Sequence, residues 1–396
     1  MIKNMKTMNI TESIRYIGVD DTDLDLFESQ YAVPEGVTYN SYLIEDEKIA
    51  IMDSVDRRKC AEWLAQLEGA LGGAAPDYLV VQHLEPDHGG SIAAVLERWP
   101  QLKVVASAKA VQMLPQFFPH IDMTDRVLPV KEGDTLSLGR HLLQFVMAPM
   151  VHWPEVMVSY ERTERVLFSA DAFGTFGALH GNLHDLRAWP AEARRYYYNI
   201  CGKYGMPVQQ LLRKAAALEV DIVCPLHGPV LTADLSHYVG LYDRWSRYEP
   251  ESEGVLVAYA SIHGNTAAVA QQIARLLEEK GAAEVVMIDL SRTDMSTAVA
   301  EAFRLKRMVV AAASYDASVF PPMYDFLHHL AIKGYTNRRV GVVENGSWAP
   351  SAGRVMREML LAMKGVELLD GAVTIRSTMK PDDLPAIAQL CAAMLE

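Results

Sequence analysis

Tyr78-Leu79-Val80-Val81-Gln82-His83-Leu84-Glu85-Pro86-Asp87-His88-Gly89-Gly90 is the stretch from which the chain is read. An apolar run of strand type gives way to two imidazoles and two carboxylates within six positions. Two glycines follow and let backbone pass close to whatever those side chains hold. So dense a set of donors leaves charges stranded or repelling one another unless a cation draws them together. Mixed nitrogen and oxygen ligands suit iron, zinc or manganese. The competing reading, a polar surface loop, fits poorly with so apolar a strand before it.

At 396 residues the chain exceeds one ordinary core, so two domains are expected. Half of the residues are apolar, which suits packed globular domains. No apolar run approaches the length that spans a bilayer, and the polar start Met1-Ile2-Lys3-Asn4-Met5-Lys6 lacks the apolar centre of a secretion signal. A cytoplasmic location, with no membrane partner, is expected. A net charge of −13 without any basic cluster argues against a nucleic-acid partner, because phosphate binding draws on an excess of Lys and Arg. The four cysteines, Cys60, Cys201, Cys224 and Cys391, form no C-x-x-C pair and are expected as buried reduced thiols rather than metal ligands.

Ahead of the ligand-rich stretch, residues 36–44 and 49–54 read as two strands around the polar turn Glu45-Asp46-Glu47-Lys48. Asp53 stands at the second strand's end. It is read as a turn former, the alternative being a carboxylate that orients a ligand histidine. Residues 57–71 carry apolar positions at helical spacing. A helix over 91–98, a strand over 102–106 and a hairpin-like segment over 127–138 continue the alternation, which predicts sheets covered by helices.

Three later strand-like runs each deliver a potential ligand. Residues 142–151 lead to His152, with Trp153-Pro154 behind it; residues 165–170 lead to Asp171, then Ala172-Phe173-Gly174; residues 220–226 lead to His227, then Gly228-Pro229. Taken singly, a His or Asp past a strand is more often a satisfied core residue or a turn former. Four strand ends repeating one pattern predict a shared site, since rigid elements aim side chains at a common point beyond one sheet edge. His180 and His184 lie on no strand exit and are read as loop residues outside it. Residues 191–218 are largely helical, and Tyr196, Tyr197, Tyr198 and Tyr204 are read as packing rather than as an access channel.

Arg247-Tyr248-Glu249-Pro250-Glu251-Ser252-Glu253-Gly254 breaks the pattern and reads as a linker between a domain over 1–250 and one over 251–396. Beyond it, strands over 254–260, 284–289, 307–313, 340–344 and 372–375 alternate with helices. That is a doubly wound parallel sheet of flavodoxin type, whose ligands bind beyond the strand carboxyl ends. The first loop, Ser261, Ile262, His263, Gly264, Asn265 and Thr266, offers hydroxyls, a glycine and the opening amides of a helix. Together they make an anion pocket for one phosphate, without the lysine of a nucleoside-triphosphate loop. Two further loops leave the same edge: Ser314-Tyr315-Asp316-Ala317 and Asn345-Gly346-Ser347-Trp348 each bring an aromatic to where a flat ring can stack. One phosphate with flanking aromatics fits flavin mononucleotide (FMN) better than a dinucleotide. For His263, a phosphate contact and a solvent-facing side chain both stand as readings.

The set His83-x-Glu85-x-Asp87-His88, His152-Trp153-Pro154, Asp171-Ala172-Phe173-Gly174 and His227-Gly228-Pro229, ahead of a flavodoxin-type module, resembles the flavodiiron proteins over nearly the whole chain. The resemblance implies an α/β chain: an N-terminal metallo-β-lactamase-like αββα sandwich, then a C-terminal flavodoxin-like doubly wound parallel sheet that binds FMN. It implies two non-haem irons per chain with an oxo or hydroxo bridge. His83, Glu85 and His152 would hold one, Asp87, His88 and His227 the other, with Asp171 bridging. Zinc hydrolases of this fold usually carry histidine where this chain has Glu85, and the harder oxygen ligand favours iron. Charge agrees. Two ferrous ions bring four positive charges against three negative ones from Glu85, Asp87 and Asp171, so one hydroxide makes the reduced site neutral and suited to an uncharged gas.

The implied activity is that of an oxidoreductase. Electrons enter at the flavin, pass to the irons and reduce nitric oxide to nitrous oxide and/or dioxygen to water. Every ligand position serves either gas. The resemblance also implies a head-to-tail homodimer or a dimer of dimers, the flavin of one chain lying near the irons of the other. The sequence ends at Glu396 without a rubredoxin-like segment, so electrons are expected from a separate donor such as a rubredoxin or its reductase. The third flavin loop continues Ala349-Pro350-Ser351-Ala352-Gly353, with fewer glycines than the family pattern, which leaves its ring contacts open. Two other readings compete: a binuclear metal hydrolase with a regulatory flavodoxin module, and an electron carrier with a structural metal.

Overall fold

A computed structural model describes residues 8–396, and the polar start from Met1 to Lys6 lies outside them. The chain divides into two compact units, one comprising Met1–Tyr197 and Met206–Asp243, the other Tyr198–Gly205 and Arg244–Glu396.

In the first unit the strand Tyr78–Val81 lies inside a seven-stranded sheet, paired in parallel with Ala50–Met52 on one side and Lys103–Ser107 on the other. Leu79, Val80 and Val81 are all buried, which is why the run is continuously apolar instead of alternating. A second sheet holds Thr135–Ser137, Leu142–Met147, Met157–Glu161, Val166–Phe168 and Ile222–Cys224. Tyr42, Met52, Val80 and Val105 of the first sheet share one core with Phe145, Met157, Phe168 and Cys224 of the second, so the sheets pack face to face. Helix Cys60–Leu71 buries Trp63 and Leu67, and helix Ala108–Phe117 buries Ala110 and Leu114. Leu212 and Leu235 of later helices face Leu167 and Val223 of the second sheet. These are the layers of a metallo-β-lactamase-type αββα sandwich.

Direction matters for the site. Leu142–Met147 and Val166–Phe168 each pair antiparallel with Met157–Glu161, and Val166–Phe168 pairs in parallel with Ile222–Cys224. Three strands therefore run the same way, and the chain leaves all of them at one edge.

Two expected elements differ. The segment over 127–138 is no hairpin: Val127–Val130 pairs with Lys103–Ser107 in the first sheet, while Thr135–Ser137 belongs to the second. Residues 131–134 carry the chain across, through a turn in which Gly133 has φ of 79°. The strand expected over 36–44 is split into Val37–Tyr39 and Tyr42–Ile44. The polar residues between them are drawn elsewhere. Asn40 Nδ2 donates to the carbonyls of Pro225 and Gly228, both at 2.8 Å, and Ser41 Oγ to that of Asp53 at 2.8 Å.

In the second unit one parallel sheet runs Val285–Asp289, Ser252–Ala260, Leu305–Tyr315, Arg338–Asn345, with Val366–Leu368 and Val373–Ile375 both on the last of these. This doubly wound order reverses beside the first strand, and the crevice there opens at the strand carboxyl ends. The expected linker over 247–254 is not a free connector. Its strand starts at Ser252, Trp245 Nε1 donates to Glu251 at 2.7 Å, and the buried Arg338 guanidinium donates to the Tyr248 carbonyl at 2.7 Å. Cys201, Cys224 and Cys391 are buried, whereas Cys60 is half-buried. Among the described residues no helix is long and apolar enough to cross a membrane.

Candidate metal centre and flavin pocket

Past Val81 the chain turns sharply through Glu85 into the short helix Pro86–Gly89. The turn needs its glycines: a Cβ on Gly90 would stand 2.4 Å from the Pro86 carbonyl oxygen and 2.7 Å from the Arg57 nitrogen. The return brings His83, Glu85, Asp87 and His88 to the edge where His152, Asp171 and His227 arrive from the second sheet.

All seven side chains meet there, in two groups. In the first, His83 Nε2 lies 3.2 Å from Glu85 Oε2 and 3.3 Å from Asp171 Oδ2, while His152 Nε2 lies 3.0 and 3.2 Å from the same two oxygens. In the second, His227 Nε2 lies 3.2 Å from Asp87 Oδ2 and 3.0 Å from His88 Nε2. Asp171 belongs to both, because its other oxygen, Oδ1, lies 3.3 Å from His88 Nε2 and 3.8 Å from His227 Nε2. Spacings near 3 Å are the edges of a coordination shell with metal–ligand bonds of about 2.1 Å. Asp87 Oδ1 and Oδ2, His152 Nε2 and Asp171 Oδ1 are buried without any hydrogen-bond partner. Such orphaned atoms are costly, and a pair of cations satisfies them. The donor set thus fits two metal ions.

Electrostatics tell the same story. Burial opposes charge on His83, yet Asp171, Glu155 and Glu85 together hold its pKa well above the histidine range. His152 is opposed by burial and raised to about 9 by Asp171 and Glu85, and His88 is raised by Asp87 and Asp171. Burial would lift Asp171 and Glu85, but the imidazoles around them push both below the carboxylate range. Without a cation, protons on the histidines take its place.

Residues not expected from the sequence orient the ligands. His83 Nδ1 faces Glu155 Oε1 at 2.8 Å and His227 Nδ1 faces the Thr38 carbonyl at 2.6 Å. Both oxygens only accept, so each Nδ1 carries the proton and each Nε2 is free to ligate. Asp53 is more than a turn former. It is buried with φ of 55°, and Oδ1 accepts from the Gln82 amide at 2.7 Å and the His83 amide at 3.4 Å, so it fixes the strand exit through backbone and not through an imidazole. Burial raises its pKa to about 6. The rings of Phe27, Tyr39 and Tyr196 pack on His227 with centroids 5.4, 6.1 and 5.4 Å away, so Tyr196 lines the site while Tyr197 packs on Tyr242 at 5.1 Å. The cage opens where Glu85 and Asp87 meet a cleft of about 250 Å3 that Phe27, Glu28 and Tyr39 also line. Burial and the negative charge of Glu85 raise the Glu28 pKa. His180 lines a different cleft with Phe176 and Arg195, and exposed His184 reaches the Val230 carbonyl at 3.4 Å; neither joins the ligand groups.

In the second unit the three expected loops enclose a cleft of about 660 Å3, within the range of cofactor pockets. Ser261, His263, Asn265, Thr266, Ser314, Tyr315, Asp316, Ala317, Asn345, Gly346, Ser347 and Trp348 line it. Gly264 does not. Its φ of 89° instead turns the chain into helix Asn265–Glu279, whose N-terminus no side chain caps. Uncapped amides beside hydroxyls fit a phosphate, and a cleft of this volume lined by Tyr315 and Trp348 fits a flavin. Ser314 Oγ accepts from the Ser351 and Ala352 amides at 2.8 and 3.2 Å and ties the second loop to the third. Ile262 of the first loop and Ala349, Pro350 and Ser351 of the third also line the cleft, and Ala313 and Ser377 line it without having been expected to. Ser377 follows the last strand, Val373–Ile375, so the strand-exit rule already contained it.

Comparison with known proteins agrees with this architecture. Residues 37–228 match the family described as ODP family beta lactamase. The nitric oxide reductase of Moorella thermoacetica is 29% identical, with 96% of each chain covered. A diflavin flavoprotein of Synechocystis sp. is 34% identical over 73% of this chain, which spans only half of that relative's length. The solved rubredoxin oxygen:oxidoreductase of Desulfovibrio gigas superposes with a TM-score of 0.93 at 25% identity, covering 98% of both chains. A lactamase-type module followed by a flavodoxin-type one, matched end to end in proteins of this kind, makes the chain a member of the flavodiiron protein family.

Proposed function

We propose that this oxidoreductase takes electrons from an external donor such as a rubredoxin or its reductase, through FMN held in residues 251–396, to two irons held in residues 1–250. It would thereby reduce nitric oxide to nitrous oxide and/or dioxygen to water. One observation carries the reading: the two oxygens of Asp171 are shared between two ligand groups, in a chain that also carries a cleft of cofactor size lined by aromatic rings and hydroxyls. The names of the Moorella and Desulfovibrio relatives point to the two gases. The assembly proposed is a head-to-tail homodimer or a dimer of dimers, in the cytoplasm.

Iron, when bound, would supply one-electron chemistry, and FMN, when bound, would supply electron transfer. The protein's part is positional. His83, Glu85 and His152 would hold one ion, Asp87, His88 and His227 the other, and Asp171 would serve both. Glu155 and the Thr38 carbonyl keep protons on the outer ring nitrogens of His83 and His227, so the inner ones present lone pairs. Phe27, Tyr39 and Tyr196 close the His227 side to water and leave the approach along Glu85 and Asp87. Glu85 works against a zinc hydrolase reading, because it places an oxygen donor where that chemistry usually has an imidazole.

Metal analysis with gas-electrode assays under donor-supplied electrons tests this. Two irons per chain and consumption of nitric oxide or dioxygen support it. Zinc at the site with ester or lactam hydrolysis and no gas uptake overturns it.

A further inference from the structure

The flavin cleft has one unusual wall. Of the residues lining it, His263 is the one basic side chain, and the other titratable groups there are Tyr315, at the end of strand Leu305–Tyr315, and Asp316, just after it. The loop over 345–351 and Ser377 add no titratable group. Among the described residues the His263 imidazole has no hydrogen bond or ion pair, and it is exposed within the loop that precedes the uncapped helix Asn265–Glu279.

The hydroxyls of Ser261 and Thr266 and the first helix amides are neutral donors. They can satisfy phosphate oxygens while leaving most of the charge of about −1.5 to −2 uncompensated. Histidine is the side chain whose charge changes between about pH 5 and 8. We infer that protonated His263 is the charge partner of the cofactor's phosphate, gives the cleft its preference for a phosphorylated flavin over an unphosphorylated one, and links FMN affinity to protons. This rests on the flavin reading given above.

The sign follows from two titrations. The phosphate gains its second charge near about pH 6, which by itself strengthens binding as pH rises. An imidazolium partner contributes only where it carries its proton, so the ratio of wild-type to variant affinity isolates that part.

The experiment is a fluorescence titration of the flavin-free, full-length chain with FMN and with riboflavin. Wild type, His263→Ala and His263→Lys are compared from about pH 6 to about pH 8.5. Wild type is expected to bind FMN about tenfold more tightly than His263→Ala near pH 6, since hydrogen bonds to charged groups are worth that much. The ratio should approach one at the alkaline end. His263→Lys should keep the advantage there, and riboflavin should show no difference at any pH. A ratio that ignores pH, or a loss that riboflavin shares, overturns the inference while leaving the flavin site standing. Failure of wild type to bind FMN at any pH overturns the flavin reading itself. Riboflavin binding at wild-type affinity shows that the cleft of the variants is folded.

Discussion

Glu155→Gln isolates how the ligand strand is held. The Glu155 side chain is buried, and one oxygen, Oε1, takes both of its bonds, from His83 Nδ1 at 2.8 Å and from the Leu84 amide at 3.0 Å. The other oxygen has no partner, so a glutamine can keep its carbonyl in place and turn its amide group to the empty side. The fold should therefore tolerate the change, with stability in urea within about 1 kcal/mol of wild type. What is lost is the negative charge behind the His83 ring. Replacing such partners of ligand histidines lowers metal affinity about 10- to 100-fold. Glu155→Ala goes further, since the Leu84 amide loses its buried acceptor, at about 1–3 kcal/mol. Chelator competition measures affinity and urea denaturation of the metal-free protein measures stability. Wild-type metal affinity in Glu155→Gln would refute the reasoning, because it would mean that Glu155 does nothing for His83.

Metal loading should release protons. Neighbouring carboxylates raise the pKa of His83, His88 and His152 in the metal-free site, so affinity should climb with pH up to about 9, where His152 loses its proton; calorimetry in buffers of different ionisation enthalpy counts the protons. The same raised histidines should stabilise the metal-free protein below their unfolded pKa, an effect lost as pH rises through about 9. The depressed Asp171 and Glu85 contribute above the unfolded carboxylate pKa, and that part is lost on acidification. Asp171→Ala should abolish gas turnover and lower iron content, with flavin per chain unchanged in its absorption spectrum. Gly228→Ala should destabilise by about 2 kcal/mol or more and weaken metal binding at His227, since φ is +77° and the new Cβ would stand 2.0 Å from Thr175 Oγ1; thermal melts and metal titration check both.

Much of this was legible in the sequence because ligand chemistry sits at strand exits. Apolar runs ending at His83, His152, Asp171 and His227 signal both a buried strand and a shared edge, and the loops after 260, 313 and 344 signal the cleft of the second unit by the same logic. What escaped reading depends on contacts without local pattern. Glu155 meets His83 across 72 positions, Thr38 meets His227 across 189, and Asp53 reaches the Gln82 amide across 29. The misread segments have a similar cause. Residues 127–138 alternate like a hairpin, but their two halves join different sheets, and at the polar Asn40-Ser41 step Asn40 donates to the carbonyls of Pro225 and Gly228 while Ser41 donates to that of Asp53. Periodicity records which side of a strand is apolar and carries no record of which sheet it enters.

The most direct single measurement is the stoichiometry of gas consumed against electrons supplied, on protein whose iron and FMN have been counted. The account predicts two irons and one FMN per chain, with nitric oxide leaving as nitrous oxide or dioxygen as water and no peroxide. Electrons that cycle through the flavin while neither gas is consumed would contradict it.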